Sequence, residues 1–250
     1  MIRLALIGIG MGSRAHLTLE AIEAIARADL ILIPEKGEEK ADLAALRRAI
    51  CDEFAIHPRA RLAPFAMPRR DEAEPDYRHR VEDWHARIAA IWAETIRREL
   101  GEKGHVALLV WGDPSLYDST LRIAQSLPFA VETKVVPGIT ALQALAAAHA
   151  IPLNTIGGAV TITTGRNLRD KGWPEDAETL AVLLDGTLAF ETLLPGAYTI
   201  WWGAFLGLPH EILIAGPLAE VAPSIRAARA AARDRHGWIM DTYLLRRAAP

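Results

Sequence analysis

Four short stretches of the 250-residue chain place glycine directly after an apolar run: Gly8 to Ser13 (GIGMGS), Trp111 to Ser119 (WGDPSLYDS), Pro137 to Ala141 (PGITA) and Ala215 to Leu218 (AGPL). In open α/β sheets, ligands bind at the carboxyl ends of the strands, which is where all four would lie. Gly112 permits close backbone approach, Asp113 can accept a hydrogen bond from a hydroxyl or an amine, and Pro114 stiffens the turn. An Asp-Pro turn taken alone reads equally well as structure. Thr140 has the form of a helix N-cap. The stretch TITTGR adds a further glycine-bearing strand end and carries Arg166.

The first stretch approaches a dinucleotide-binding fingerprint, which asks for glycine at positions one, three and six. Here the glycines are Gly8, Gly10 and Gly12, and Ser13 takes the sixth place. On that reading Glu35 would hold a ribose and the chain would be an NAD(P)-dependent oxidoreductase, with the other loops left idle. The eight histidines are scattered, His210-Glu211 has no second histidine at helical spacing, and no Gly-x-Ser-x-Gly elbow occurs. No metal site is expected.

The elements that must carry these loops follow from apolar periodicity. Leu4 to Gly8 reads as a buried strand, His16 to Ala28 as an amphipathic helix, and Leu30 to Ile33 as a second strand closed by Pro34. Leu43, Leu46, Ile50 and Phe54 recur at helical spacing. His57 to Arg80, rich in proline and arginine (Arg59, Arg61, Arg69, Arg70, Arg78, Arg80), reads as an exposed excursion. Val81 to Leu100 is a long helix stopped by Gly101, and His105 to Trp111 a strand. Further apolar runs lie at Phe129 to Val136, Ala159 to Thr164, Leu180 to Leu184, Tyr198 to Trp202, Ile212 to Ala215 and Trp238 to Leu245. A helix is expected from Ser224 to His236. Tyr198 to Leu213 predicts two antiparallel strands joined near Gly207-Leu208-Pro209, hence a mixed second sheet.

The net charge of −3 lacks the broad basic footprint of a nucleic-acid-binding protein. The single cysteine, Cys51, cannot form an internal disulfide and sits in a helical pattern as a small core residue. No run reaches the length of a membrane span and no leader pattern precedes the first strand, so a cytoplasmic enzyme with no membrane partner is expected.

Taken together, GIGMGS, KGEEKADLAALRRAIC, LVWGDPSLYDSTLRI, VVPGITALQALAA, ITTGR, WWGAFLGLPHEILIAGPL and GWIMDTYLLRR resemble the tetrapyrrole methylase family over nearly the whole chain. The resemblance is strongest to its deacetylating, corrin-forming subgroup. It implies two α/β domains, 1–113 with a mostly parallel sheet on the tetrapyrrole side and 114–250 with a mixed sheet on the cofactor side. S-adenosylmethionine would lie in the cleft between them, in a homodimer. Residue by residue, it implies that Gly10, Met11, Trp111, Gly112, Asp113, Leu116, Tyr117, Pro137, Thr140, Ala141, Leu184 or Asp185, Ala215, Gly216 and Pro217 line the cofactor. Gly8, Gly12, Ser13 and Arg166 would meet the substrate.

Where relatives carry proline in the first loop, this chain has Met11, and where related enzymes carry an aspartate after the second strand, it has Pro34 followed by Glu35-Lys36. Glu35 and Lys36 are therefore the first candidates for acid and base, with Tyr117 and Asp118 second. The implied reaction is methylation of precorrin-5 at carbon 1 with loss of acetate. A sulfonium amino acid carries no phosphate, so backbone carbonyls and a carboxylate suit it better than a nest of N–H groups. An RNA methyltransferase of the same wider family is a further alternative that the charge disfavours.

Overall fold

The computed structural model describes residues 1–35, 41–55 and 60–247. Lys36, and His57 to Arg59 of the expected excursion, lie outside the described residues. The chain divides into two compact units, Met1–Ile139 and Thr140–Pro250.

In the first unit, β1 (Ile2–Gly8), β2 (Leu30–Glu35), β3 (Arg61–Ala66), β4 (Gly104–Val110) and β5 (Val131–Val136) form a sheet of order β3-β2-β4-β1-β5. Every pairing in it is parallel. Alternate side chains of each strand point to opposite faces. Ile7, Ile9, Ile31, Ile33, Ala107 and Leu109 pack with α1 (Leu19–Ala26) and α2 (Ala41–Phe54). Leu4, Leu6, Leu30, Leu32, Val106, Leu108 and Val110 pack with α3 (Tyr77–Leu100) and α4 (Thr120–Gln125). Strands buried on both faces read as continuous apolar runs, which is why β1, β2 and β4 were legible. Cys51 is buried in the first of these layers, where burial pushes its thiol up to about 12 and leaves it inert.

Two expectations change. Arg61–Ala66 is a strand, not part of an exposed excursion: Ala63 and Phe65 point into the core while their neighbours face solvent. It sits at the edge of the sheet, where Pro64 removes no ladder bond that a central strand would need. The boundary expected after Asp113 falls after Ile139, because α4 and β5 belong to the first unit, β5 pairing along β1 from Ile2↔Val131 to Ile7↔Val136.

Helix ends follow local chemistry. The Thr18 hydroxyl accepts from the Ala21 amide at 3.0 Å to start α1. The Asp76 carboxylate accepts from the amides of Arg78 and His79 to start α3, and these bonds hold its carboxyl below the usual range. Gly101, at φ 70°, ends α3.

The second unit holds β6 (Val160–Thr164), β7 (Thr179–Leu183), β8 (Tyr198–Ala204), β9 (Ile212–Pro217) and β10 (Asp241–Arg247) in the order β6-β7-β10-β8-β9. β6 and β7 are parallel and the other pairs antiparallel, so the sheet is mixed and β8–β9 form the expected hairpin. Around it lie α5 (Ala141–Ala148), α6 (Gly165–Lys171) and α7 (Leu218–His236). The last begins six residues before the expected Ser224 and takes Pro223 into its second turn. His149 caps the end of α5.

A buried polar network ties the sheet to α7. The Arg229 Nε donates to Asp241 Oδ2 at 2.9 Å and its Nη2 to the Asp185 carbonyl at 2.7 Å. Trp202 Nε1 donates to the same Asp241 oxygen at 3.0 Å. Burial pushes the Asp241 carboxyl up, and Arg229 and Trp202 offset this only in part.

Candidate functional site

Three loops of the first unit meet backbone to backbone. A methyl group at Gly8 would fall 2.6 Å from the Gly138 nitrogen and 2.8 Å from the Gly112 oxygen, and one at Gly138 would fall 2.2 Å from that same oxygen. Glycine is required at both positions because backbone fills the space a side chain would need. Gly10 and Gly112 exchange hydrogen bonds, N to O at 3.3 Å and O to N at 2.8 Å, in an isolated antiparallel bridge. Gly10 lies at φ 70°, and a Cβ there would strike His16 Cβ at 2.3 Å.

The amides of Ile9, Gly10 and Met11 in the first loop are spent within the unit. Ile9 donates to the Val110 carbonyl at 2.9 Å, Gly10 to Gly112 as above, and Met11 to His16 Nδ1 at 3.4 Å. A pyrophosphate would need these groups pointing outward at a helix start. Instead, α1 begins at Leu19, beyond a 3-10 turn at Arg14–His16 that Ser13 caps. The same bonds show how this loop is held without the proline of its relatives: Met11 is buried and its amide is anchored.

Asp113 braces the second loop against the third. It is 8% exposed; Oδ1 accepts from the Ser115 amide at 2.7 Å and from its hydroxyl, and Oδ2 from the Gly138 amide at 2.8 Å. Burial alone would raise its carboxyl, but the Ser115 and Gly138 donors outweigh it and hold it below the usual range. The stabilisation is therefore fully present above about pH 4 and is lost as pH falls through the lowered folded value. Asp113→Asn puts an NH₂ donor against one of these amides, costing about 1–3 kcal/mol. In a series of melts between pH 2 and 6, the variant is expected to show a flatter acid limb than the parent protein. Leu116 closes this loop by donating to the Asp113 carbonyl at 3.2 Å, and Tyr117 follows it at φ 49°, largely exposed. Trp111 packs its ring on the core, and Pro137 is exposed beside Gly138. Gly12, at φ 110°, completes the first loop.

In the second unit, Thr140 forms a full capping box with Gln143 at the start of α5, and Ala141 opens the helix. Leu184 lies at φ 54° and is 66% exposed, a strained and accessible backbone position. Its neighbour Asp185 is committed inward: Oδ2 accepts from Tyr243 Oη at 2.7 Å and the Ala189 amide at 2.6 Å, and Oδ1 from the Thr187 amide at 2.9 Å. Of the two residues the resemblance offered, Leu184 is the one open to a ligand. A Cβ at Gly165 would fall 2.4 Å from Asp185 Cγ, so the glycine of ITTGR seats α6 against this carboxylate. Arg166 is exposed in the next position. Ala215, Gly216 and Pro217 end the edge strand β9, with Gly216 at φ 150°.

The acid–base candidates separate. Glu35 ends β2 in an exposed ion pair with Arg48 of α2. Asp118 is half-buried and uses Oδ1 to hold the amide of Thr120 at 2.7 Å and its hydroxyl. Sequence reasoning missed Ser115, His16, Arg47 and His85. Ser115 was readable from the Asp-Pro-Ser spacing, since a serine two residues after an aspartate favours this turn. His16 accepts from the Met11 amide only five residues away but belongs to no motif, Arg47 reaches the Leu109 carbonyl sixty-two residues away, and His85 is a buried polar residue on the packed face of α3.

With this geometry in view, comparison with known proteins is direct. Residues 3–222 match the model of the Tetrapyrrole (Corrin/Porphyrin) Methylases. The chain belongs to this family and is a methyltransferase. It is 47% identical over its whole length, and 97% of the relative's, to a Sinorhizobium protein named precorrin-6A synthase [deacetylating]. It is 28% identical over 59% of its length, and 57% of the relative's, to a Methanocaldococcus jannaschii protein named as a cobalt-precorrin-2 C(20)-methyltransferase. Among solved structures, the cobalamin synthesis related protein CobF from Corynebacterium diphtheriae superposes with TM-score 0.85 and 42% identity, over 98% of each chain. The uroporphyrin-III C-methyl transferase of Thermus thermophilus complexed with S-adenosyl homocysteine shares the fold alone, with TM-score 0.59 at 19% identity, over 97% of this chain and 91% of that one.

Proposed function

We propose that this chain is a precorrin-6A synthase of the deacetylating kind. On this reading it transfers the methyl of S-adenosylmethionine to carbon 1 of precorrin-5 and releases acetate. The observation that carries the reading is the full-length similarity at 47% identity to a protein of that name. The loop chemistry supports it, because a first loop that spends the amides of Ile9, Gly10 and Met11 internally suits a ligand without phosphate.

The cofactor supplies an electrophilic methyl group on a sulfonium. We assign its contacts to Gly10, Met11, Trp111 to Asp113, Leu116, Tyr117 and Pro137 in the first unit. In the second we assign Thr140, Ala141, Leu184 and Ala215 to Pro217. Asp113 then acts by fixing the carbonyls around it more than by direct contact, since its oxygens already hold Ser115 and Gly138. Displacement at a methyl group gains most from alignment, which a rigid backbone site provides. Gly8, Gly12, Ser13 and Arg166 are assigned to the tetrapyrrole, whose carboxylate arms a guanidinium fork would suit. The same reading takes the working form as a cytoplasmic homodimer; no helix among the described residues is long and apolar enough to cross a membrane.

Titration calorimetry with S-adenosylhomocysteine and with NADH tests the cofactor. Binding of the first alone is expected, and strong binding of NADH alone would overturn the reading. Mass spectrometry of the products from precorrin-5 and methyl-labelled cofactor tests the reaction, with one labelled methyl gained and one acetyl lost as the expected result.

A further inference from the structure

The loop that leaves β3 and the first turns of α3 gather arginines around one indole ring. Trp84 packs against the core of the first unit and its Nε1 donates to the Pro68 carbonyl at 2.7 Å, so the ring is fixed to the loop. The Arg70 guanidinium lies over this ring, 4.5 Å from its centroid. Arg80 stands four residues before Trp84 and Arg87 three after it, so α3 puts both beside it on one face. Arg80 lies over the Tyr77 ring at 5.6 Å, and Arg87 Nη2 donates to the Arg69 carbonyl at 2.7 Å, a second tie between loop and helix.

Most acids of this segment are engaged elsewhere. Glu74 faces His79 Nδ1 at 3.3 Å, Asp83 faces His79 Nε2 at 3.7 Å, and Glu82 pairs with Arg78 at 3.5 Å. Asp76 caps α3, and Asp71 holds the Ala73 amide at 3.0 Å. Among the described residues no carboxylate comes within ion-pair distance of Arg70 or Arg80, and neither side chain makes a hydrogen bond. Arg70 is exposed and Arg80 half-buried. A guanidinium stacked on a ring face keeps its N–H donors free at its edge, and that planar fork is what a carboxylate accepts with both oxygens.

Because β3 is parallel to β2, the loop leaves the sheet at the end where Gly8, Gly112 and Gly138 meet. The Met67 amide anchors its first residue to the Glu35 carbonyl at 2.9 Å. β3 is the edge strand, so its end lies roughly 10 Å from that of β4 and roughly 14 Å from that of β1. A macrocycle carries its carboxylates on arms around the ring, and their partners belong at such an offset from the carbon that is methylated.

We infer that Arg70 and Arg80 bind carboxylate arms of the tetrapyrrole substrate at the rim of the first unit, and that Trp84 is the positioning residue that fixes Arg70. The inference rests on the precorrin reading above and adds a site for substrate charge to the residues assigned there.

The test measures methyl transfer to precorrin-5 by the full chain, with kcat and KM separated, and S-adenosylhomocysteine binding by calorimetry. Arg70→Gln and Arg80→Gln are each expected to raise KM for precorrin-5 roughly 10-fold, and the double variant roughly 100-fold, because each loses a charge-assisted fork. The kcat and the S-adenosylhomocysteine affinity are expected to stay at the parent values, since contacts made equally in ground and transition states set KM alone. Arg70→Lys keeps the charge without the fork; it is expected to fall between, and covers the case in which the glutamine variant misfolds. Trp84→Phe keeps a ring and loses the tie to Pro68, and is expected to raise KM by a smaller factor with kcat unchanged. Added salt is expected to raise the parent's KM more steeply than that of the double variant. Arg98→Gln, whose partner is the adjacent Glu99 near the far end of α3, is the control expected to keep the parent KM. A parent protein that transfers no methyl to precorrin-5 overturns the reading of the function itself. A parent protein that does, beside folded Arg70 and Arg80 variants with unchanged KM, overturns the rim site. So does a lower kcat or weaker S-adenosylhomocysteine binding in place of a raised KM. Unchanged KM in Trp84→Phe overturns its positioning role.

Discussion

Gly138→Ala is expected to abolish measurable S-adenosylhomocysteine binding while leaving the second unit intact. The added methyl would sit 2.2 Å from the Gly112 oxygen and 2.8 Å from Gly8 Cα, with backbone and not a flexible side chain on both sides. Neither neighbour can yield alone. Gly8 ends β1, and Gly112 is bridged to Gly10 and lies beside the Asp113 carboxylate that holds the Gly138 amide. Overpacking of this kind costs about 1–3 kcal/mol, and here the strain is delivered to the loops assigned to the cofactor. Gly101→Ala is the control. That glycine meets nothing within 4 Å, so only its φ of 70° is penalised, at about 1–2 kcal/mol, far from these loops. Calorimetry on both variants separates the cases. Retained binding in Gly138→Ala, with Gly101→Ala equally affected, would mean that the three loops separate freely and that their close approach does not shape the site.

Arg229→Ala is expected to cost the second unit about 3–5 kcal/mol, the largest stability effect of any single change described. The Arg229 and Asp241 side chains are 9% and 6% exposed, and the substitution leaves Asp241 buried with only Trp202 donating to it. The Asp185 carbonyl also loses its donor, and Asp185 in turn holds Tyr243 and the amides of Thr187 and Ala189. Asp185 is the neighbour of Leu184, so the loss reaches a residue assigned to the cofactor. Replacing both partners by apolar residues, Arg229→Met with Asp241→Leu, is expected to recover most of the stability, because no buried charge then lacks a partner. Urea unfolding followed by tryptophan fluorescence measures this, with the transition of the second unit moving and that of the first staying in place. A cost below about 1 kcal/mol would show the pair to be solvated, as surface pairs are.

Most of the strands were legible because burial on both faces writes an unbroken apolar run, as in Leu30 to Ile33 and Val106 to Val110. The β8–β9 hairpin was legible from its Gly-Leu-Pro turn. β3 was not: as an edge strand it buries only Ala63 and Phe65 and tolerates Pro64, so its local pattern is that of a loop. The loops of the candidate site were legible as positions, since glycine after an apolar run marks backbone approach whatever the backbone approaches.

Partners across long sequence distances were hidden. The sequence by itself determined an α/β chain, its strand-end glycines, the capping role of Thr140 and, through motif resemblance, the family. Only the tertiary structure decided that Asp113 spends its charge on Gly138, twenty-five residues away, and that Asp185 faces inward while Leu184 faces out. It alone placed the buried Arg47 of α2 on the Leu109 carbonyl of β4, sixty-two residues away. The reason is physical. Periodicity and turn chemistry are local and are written in neighbouring residues, whereas the partner of a buried charge is chosen by which backbones the sheet order brings together.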